Sequence, residues 1–361
     1  MKSPVFHSIS GCSRLVAAAL LLAGVVCAQK YDQTNLVSNT TGTAPKTDAR
    51  LVNPWGLSRS SSSPWWVSDN GTGLSTLYDA TGTAQGLVVT VPGAPTGTVY
   101  NGSADFELAA GKPARFLFAS EDGTISGWNS GVDATHAVVV VTTPSAVYKG
   151  IAIVDVDGKR QLYATDFHAG HIDVFDASFH PVARKGGDED ETPFRFGGRL
   201  RGLSPFGIQN IGGNLFVTFA KPDAAGHDDV HAPGNGAVAV FTPAGRLIRL
   251  FEHVQDLNSP WGLALAPGDF GAFSHHLLVG QFGSGEILAY NMVTGMLAGK
   301  LLNASGNPIA IDGLWGLSFG NGKSAGPVTT LFFSAGPNDE ADGLFGTLTP
   351  VATELVQGNG N

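Results

Sequence analysis

The sequence predicts an all-β fold, a six-bladed β-propeller closed by an N-terminal strand, and three observations predict it. An aromatic residue followed by glycine recurs in Asn53-Pro54-Trp55-Gly56-Leu57, Ser204-Pro205-Phe206-Gly207-Ile208, Ser259-Pro260-Trp261-Gly262-Leu263 and Gly313-Leu314-Trp315-Gly316-Leu317. The last three copies lie about 55 residues apart, a blade-like period. After each copy comes a short apolar run, a polar turn and an alternating strand, the pattern of a small antiparallel sheet. Composition agrees: 49 glycines and 20 prolines in 361 residues, with few long amphipathic runs, favour short strands and tight turns over helices.

The elements follow in chain order. Lys2 and Arg14, the apolar run from Leu15 to Val26 and the small residues ending at Ala28 read as a secretory signal over residues 1–28. The run is shorter than the roughly 20 residues of a membrane-spanning helix. Export to the periplasm or the exterior is therefore expected, with no integral membrane segment after cleavage. Val26 before Cys27 argues against lipidation. Cys12 and Cys27 both fall in the leader, so the mature chain has neither disulfide nor thiolate nucleophile. Residues 29–350 form the propeller domain and 351–361 a polar tail.

Six repeat copies fill the domain. Between the first two aromatic-glycine copies there is room for two degenerate ones, read at Ser103-Ala104-Asp105-Phe106 and Lys149-Gly150-Ile151-Ala152. The last copy supplies strands near Leu314–Phe319, Thr329–Ser334 and Gly343–Leu348, and its outer strand is expected from Tyr31 to Val37. Radial repetition of small sheets leaves only short, protected edges. Trp55, Trp261 and Trp315 are assigned to packing between blades rather than to a carbohydrate platform.

The ordered motifs NPWGL, WWVSDNGTGLSTLYDATG, FASEDGTISGWN, YKGIAI, SPFGIQ, SPWGLALAP, HLLVGQFGSGEILAYN and DGLWGLSFG resemble a family of secreted bacterial proteins of unknown function. That family is described as propeller-like and related to NHL-repeat proteins. The resemblance runs from about Tyr31 to Leu348 and implies the fold and export, and no activity.

In a four-stranded meander the start of the innermost strand and the turn after the second strand share one face of the disc, where a site is sought. The first ring then holds Asn53, Asp105, Lys149, Ser204, Asn258 and Asp312. The second holds Asp69, Asn70, Glu121, Asp122, Asp166, His168, Lys221, Gln281, Asn338 and Asp339. Oxygen-rich side chains around a pore suit a hard cation such as Ca²⁺, with Asn53, Asp69, Asn258 and Asp312 as ligands. The plain alternative is that these groups cap strand ends and face water.

Two long loops join the same face: Arg184 to Leu200, with the acidic run Asp188-Glu189-Asp190-Glu191, and Lys221 to Gly236, with His227, Asp228, Asp229 and His231. Lys149, His168, Lys221, His227, Asp228, His231, Gln281 and Asp339 are the candidates for binding on this rim. His275 and His276 fall on the opposite face. The acidic balance, −9 overall and about −11 once Lys2 and Arg14 leave with the signal, disfavours nucleic acid. There is no H-E-x-x-H, phosphate-loop or complete EF-hand motif, and Asp155-Val156-Asp157-Gly158 reads as a hairpin turn.

Two functional classes remain. One is a non-catalytic module holding a small molecule or protein on the loop-bearing face. The other is a calcium-dependent hydrolase similar to the gluconolactonase and regucalcin propellers, which implies a pore Ca²⁺ and a carboxylate base, Asp166 or Glu121. Those enzymes open the first blade with a glutamate where this chain has Asn53.

Overall fold

In the computed structural model, residue 1 and residues 29–183, 193–194, 200 and 202–351 are described. Residues 2–28, expected to be a secretory signal, the acidic run Asp188 to Glu191 with most of its loop, and the tail beyond Val351 lie outside the described residues. The described chain is almost entirely β, with two 3₁₀ turns and no α-helix long and apolar enough to cross a membrane.

Six antiparallel sheets stand radially around one axis. Their innermost strands are Pro54–Ser58, Pro95–Tyr100, Tyr148–Val156, Ser204–Ile211, Pro260–Leu265 and Leu314–Phe319. Blades one, two, four and five have four strands in simple sequential order, except that a small hairpin, Glu107–Ala109 with Lys112–Pro113, branches off within blade two. Blade three has three described strands, ending at His171–Phe175. In blade six, Leu344–Pro350 pairs antiparallel with Tyr31–Ser38, from Tyr31 against Pro350 to Ser38 against Leu344. Tyr31 is fully buried there and its hydroxyl donates to Phe270 O of blade five at 3.0 Å.

Each gap between neighbouring blades is filled by its own apolar cluster, Val37, Trp65 and Phe345 between blades six and one being typical. Nearest the axis there is no room for side chains. A Cβ on Gly56 would lie 2.6 Å from Thr96 O, on Gly97 2.8 Å from Ile151 N, on Gly207 2.1 Å from Trp261 O and on Gly316 2.6 Å from Trp55 O. These glycines, with Gly150 and Gly262, form a closed ring in which each innermost strand touches the next. The channel they leave is narrow, about 40 Å³.

The ring corrects the second repeat copy. Blade two begins at Pro95-Thr96-Gly97, not at Ser103 to Phe106, because Thr96 occupies the place of the aromatic residue and hides the motif. Asp105 consequently leaves the first ring: it lies beyond the far end of that strand, 3.9 Å from Arg160. The tryptophans also depart from the expected wedge between blades. They are buried, but they pack against one another across the axis.

Candidate functional site

The residue before each axial glycine points into the channel mouth on the loop-bearing face. Four of the six are aromatic, and Trp55, Phe206, Trp261 and Trp315 close the channel as a plug: Trp55 stacks on Trp315 at 3.5 Å, and both meet Trp261 edge-on at 5.7 and 5.8 Å. The fifth position is Thr96, whose hydroxyl donates to Tyr148 O at 2.8 Å. The sixth is Lys149. Aligning Gly150 with the other axial glycines sets Lys149 level with Trp55, two positions deeper than Asn53, and this explains its burial.

Lys149 is 1% exposed. Its ammonium stands 5.0 Å above the Trp55 ring and 6.0 Å from Phe167, ion-pairs with Glu121, and lies 3.7 Å from Asp228 Oδ1. A buried ammonium requires such partners, because desolvation disfavours the charge unless anions and ring faces replace water. Its carbonyl accepts from Trp261 Nε1 at 3.0 Å, fixing the lysine backbone to the plug.

A hydrogen-bonded chain runs from the plug to this ion pair. Trp315 Nε1 donates to Asn53 Oδ1 at 3.0 Å, Asn53 Nδ2 to Asn70 Oδ1 at 3.3 Å, and Asn70 Nδ2 to Glu121 Oε2 at 2.9 Å. Glu340, not anticipated from the sequence, joins beside Asn53. Burial pushes its carboxyl up, Glu121 and Asp228 push the same way, and Asn53 and Lys149 oppose them. Glu340 is held there by three consecutive left-handed residues, Asn338, Asp339 and Glu340, with φ of 59°, 48° and 64°. Such backbone is costly outside glycine and occurs where surroundings enforce it.

The Lys221–Gly236 loop arches over the mouth from blade four. Ala225 O meets His168 Nδ1 of blade three at 2.9 Å, and His227 Nδ1 lies 2.8 Å from Asp228 Oδ1. Burial pushes the Asp229 carboxyl up; its Oδ2 lies 3.6 Å from His231. His231 in turn meets the partly exposed ring of Phe282, which stacks on Trp315 at 3.9 Å.

The structure thus brings together Asn53, Glu121, Lys149, His227 and Asp228, with His168 and His231 at the loop's flanks. Lys221 is exposed at the base of the loop. Other expected site residues serve the blades. Asp69 is fully buried, its Oδ2 accepting from Thr76 N at 3.0 Å, and burial pushes its carboxyl well above the usual range. Asp166 Oδ1 accepts from Val147 N and Ala169 N. Gln281 Oε1 accepts from Asn258 N at 2.9 Å, and Asp312 Oδ2 from Asn338 N at 2.9 Å. Asp339 is exposed on the left-handed turn, while Asn258 Oδ1 and Trp55 Nε1 are buried without a hydrogen-bond partner among the described residues.

Two groups have ligand atoms close enough for one metal ion: Glu121, His227 and Asp228 at the mouth, and Asp166, His171 and Asp173 on blade three. In the first, the Lys149 ammonium already contacts two of the three members. In the second, Asp166 Oδ1 accepts from backbone N–H groups while its Oδ2 lies 4.0 Å from His171 Nε2, and Asp173 accepts from the Tyr148 hydroxyl at 2.6 Å.

No family model matches the chain. Among solved structures it is similar to the apo soluble aldose sugar dehydrogenase of Escherichia coli, with a TM-score of 0.54, 11% identity, and 89% of this chain and all of that one covered. It is also similar to a streptogramin B lyase, with a TM-score of 0.52, 11% identity, and 90% and 98% covered. At these identities the likeness concerns the fold alone. Two sequence relatives stand nearer, both from Acanthamoeba polyphaga mimivirus. The uncharacterized proteins L690 and R648 are each 32% identical over 332 residues, which is 87% of this chain and 84% and 78% of theirs. The chain therefore belongs to the same protein family as mimivirus L690 and R648.

Proposed function

We propose that the chain is an exported, non-catalytic binding module that holds a small neutral polar ligand across the mouth under the Lys221–Gly236 loop. One observation carries this reading: the Lys149 ammonium stands where Glu121 and Asp228 converge, so the mouth has its own counter-charge. A second cation at that point would meet the ammonium at short range, which weighs against a pore Ca²⁺. The expected ligand set fits calcium no better: Asp69 is sealed inside blade one with its Oδ2 accepting from Thr76 N, and Asp312 Oδ2 accepts from Asn338 N. Asp166, one of the two candidate bases, is likewise engaged by backbone.

What remains open to a ligand is rich in acceptors. Asp228 is 70% exposed at its side chain, and the partly exposed Glu340 adds further oxygens. Such a surface favours neutral hydrogen-bond donors, and the exposed part of Phe282 offers a face for a ring. Export rests on the leader, and the reading needs no membrane segment.

Titration calorimetry of the mature chain with a panel of sugars and other polyols tests this reading. A saturable heat without chemical change of the ligand is expected, weakened about tenfold in Asp228→Asn, which removes one charged acceptor from an exposed position. Calcium-dependent opening of any member of a lactone panel would overturn the non-catalytic reading.

A further inference from the structure

The other mouth of the channel is built differently. The far ends of the innermost strands of blades one to four and six enclose an open bowl of about 440 Å³, within the size range of small-molecule sites. It shares Leu57, Thr98, Ile151 and Gln209 with the narrow channel, so it is the channel's opposite opening. The aromatic plug and the roughly 40 Å³ bore separate it from the Lys149 mouth. A ligand in the bowl therefore enters from that side and stays there.

The lining chemistry contrasts with the rest of the chain. In a protein of net charge −9, this bowl is lined by Arg59 and Arg160 and by no aspartate or glutamate. Arg59 is held in place: its Nε donates to Phe319 O at 2.6 Å and its guanidinium lies 5.6 Å from the Trp65 ring. It has no carboxylate partner among the described residues, and burial lowers its pKa, the response of a guanidinium lacking an anion. Arg160 has the partly exposed Asp105 at 3.9 Å and Asp155 directly opposite it on the neighbouring strand. At the floor, Thr98 is more than nine-tenths buried and its Oγ1 has no hydrogen-bond partner among the described residues. Tyr100 lines the wall, its ring packed on Phe116.

We propose that this bowl is a second binding site, for a small oxyanion, a carboxylate or a phosphate, held by the two guanidiniums with the Thr98 hydroxyl beneath it. A planar guanidinium presents paired N–H groups that match the two oxygens of either anion. Positioned by Phe319 and Trp65 beforehand, Arg59 loses little freedom on binding. The site is independent of the function proposed for the Lys149 mouth, and either can fail without the other.

The test is calorimetry and thermal melting of the mature chain at matched ionic strength with succinate, inorganic phosphate and the neutral succinamide. Binding of succinate or phosphate with no response to succinamide is expected, and whichever anion binds more tightly identifies the oxyanion type. Arg160→Gln, at a partly exposed position, and Arg59→Lys, which keeps the charge and loses the fork, are each expected to weaken that binding about tenfold. Thr98→Val is expected to weaken it less, leaving the melting temperature without ligand close to that of the parent. Three results would overturn the proposal: no saturable heat with either anion at millimolar concentration, equal binding of succinamide, or anion binding unchanged in both arginine variants. Loss of anion binding in Lys149→Met would place the anion at the other mouth and overturn it too.

Discussion

Asp69, Asp166 and Gln281 occupy the same position in three blades, opposite the start of the innermost strand, and in each the side chain ties down backbone N–H groups. An amide performs this task in blade five, which makes Asp69→Asn an informative substitution. Burial raises the Asp69 pKa, Thr76 opposes that rise, and the nearby Asp48 adds to it. The unfolded chain releases this proton near the ordinary carboxylate value of about 3.9, while the folded chain keeps it to higher pH. Folding therefore takes up a proton in that window, and stability falls as pH rises from the ordinary value to the raised one. Relative to the parent, Asp69→Asn should melt similarly near pH 4 and gain stability toward neutral pH. A gain that shrinks as pH rises would show that Asp69 is stabilised as an anion.

Residue-level features were unevenly legible in the sequence. His227 and Asp228 stood out because histidines and carboxylates in a long loop are conspicuous. The depth of Lys149 was within reach, since it depends only on aligning Gly150 with Gly56, but polar rank placed it beside Asn53. Glu340 was beyond reach, because three consecutive left-handed residues bring it to Asn53, and nothing in Asn338-Asp339-Glu340 announces that turn.

At the scale of elements, the blades follow from local pattern and their register from the axial glycines. The aromatic-glycine motif revealed four blades directly. Blade two stayed hidden because Thr96 replaces the aromatic, satisfying its hydroxyl on Tyr148 O instead of joining the plug. The outer strand of blade six comes from the other end of the chain, with Tyr31 and Val37 buried against blades five and one. Deleting residues 29–38 should destabilise the protein by at least about 3–5 kcal/mol, the cost of truncating one buried aromatic, since Tyr31 and a whole ladder of pairing go together. Chemical denaturation compares the two chains. Equal stability would mean that the pairing of Tyr31–Ser38 with Leu344–Pro350 contributes nothing to holding the ring.

For the whole molecule, the axis divides two chemistries. One mouth gathers carboxylates and amides around a single buried ammonium; the other presents two guanidiniums and no carboxylate among its lining residues. The aromatic plug and the narrow bore between them keep a ligand at one mouth from passing to the other. The sequence pointed to the first mouth through its polar rings and long loop. It concealed the second, because Arg59 and Arg160 lie at strand ends on the face opposite the polar rings and the long loop, where no motif marks them.

Melting of the protein in calcium and in chelator tests most directly the claim that Lys149 stands where an ion would otherwise be held. With the ammonium in place, the two melting temperatures should coincide. An ion bound at a hundredfold above its Kd stabilises a protein by about 2.7 kcal/mol, a shift well within measurement. A calcium-dependent rise of that size, abolished by Asp228→Asn, would contradict the claim and return the mouth to metal chemistry.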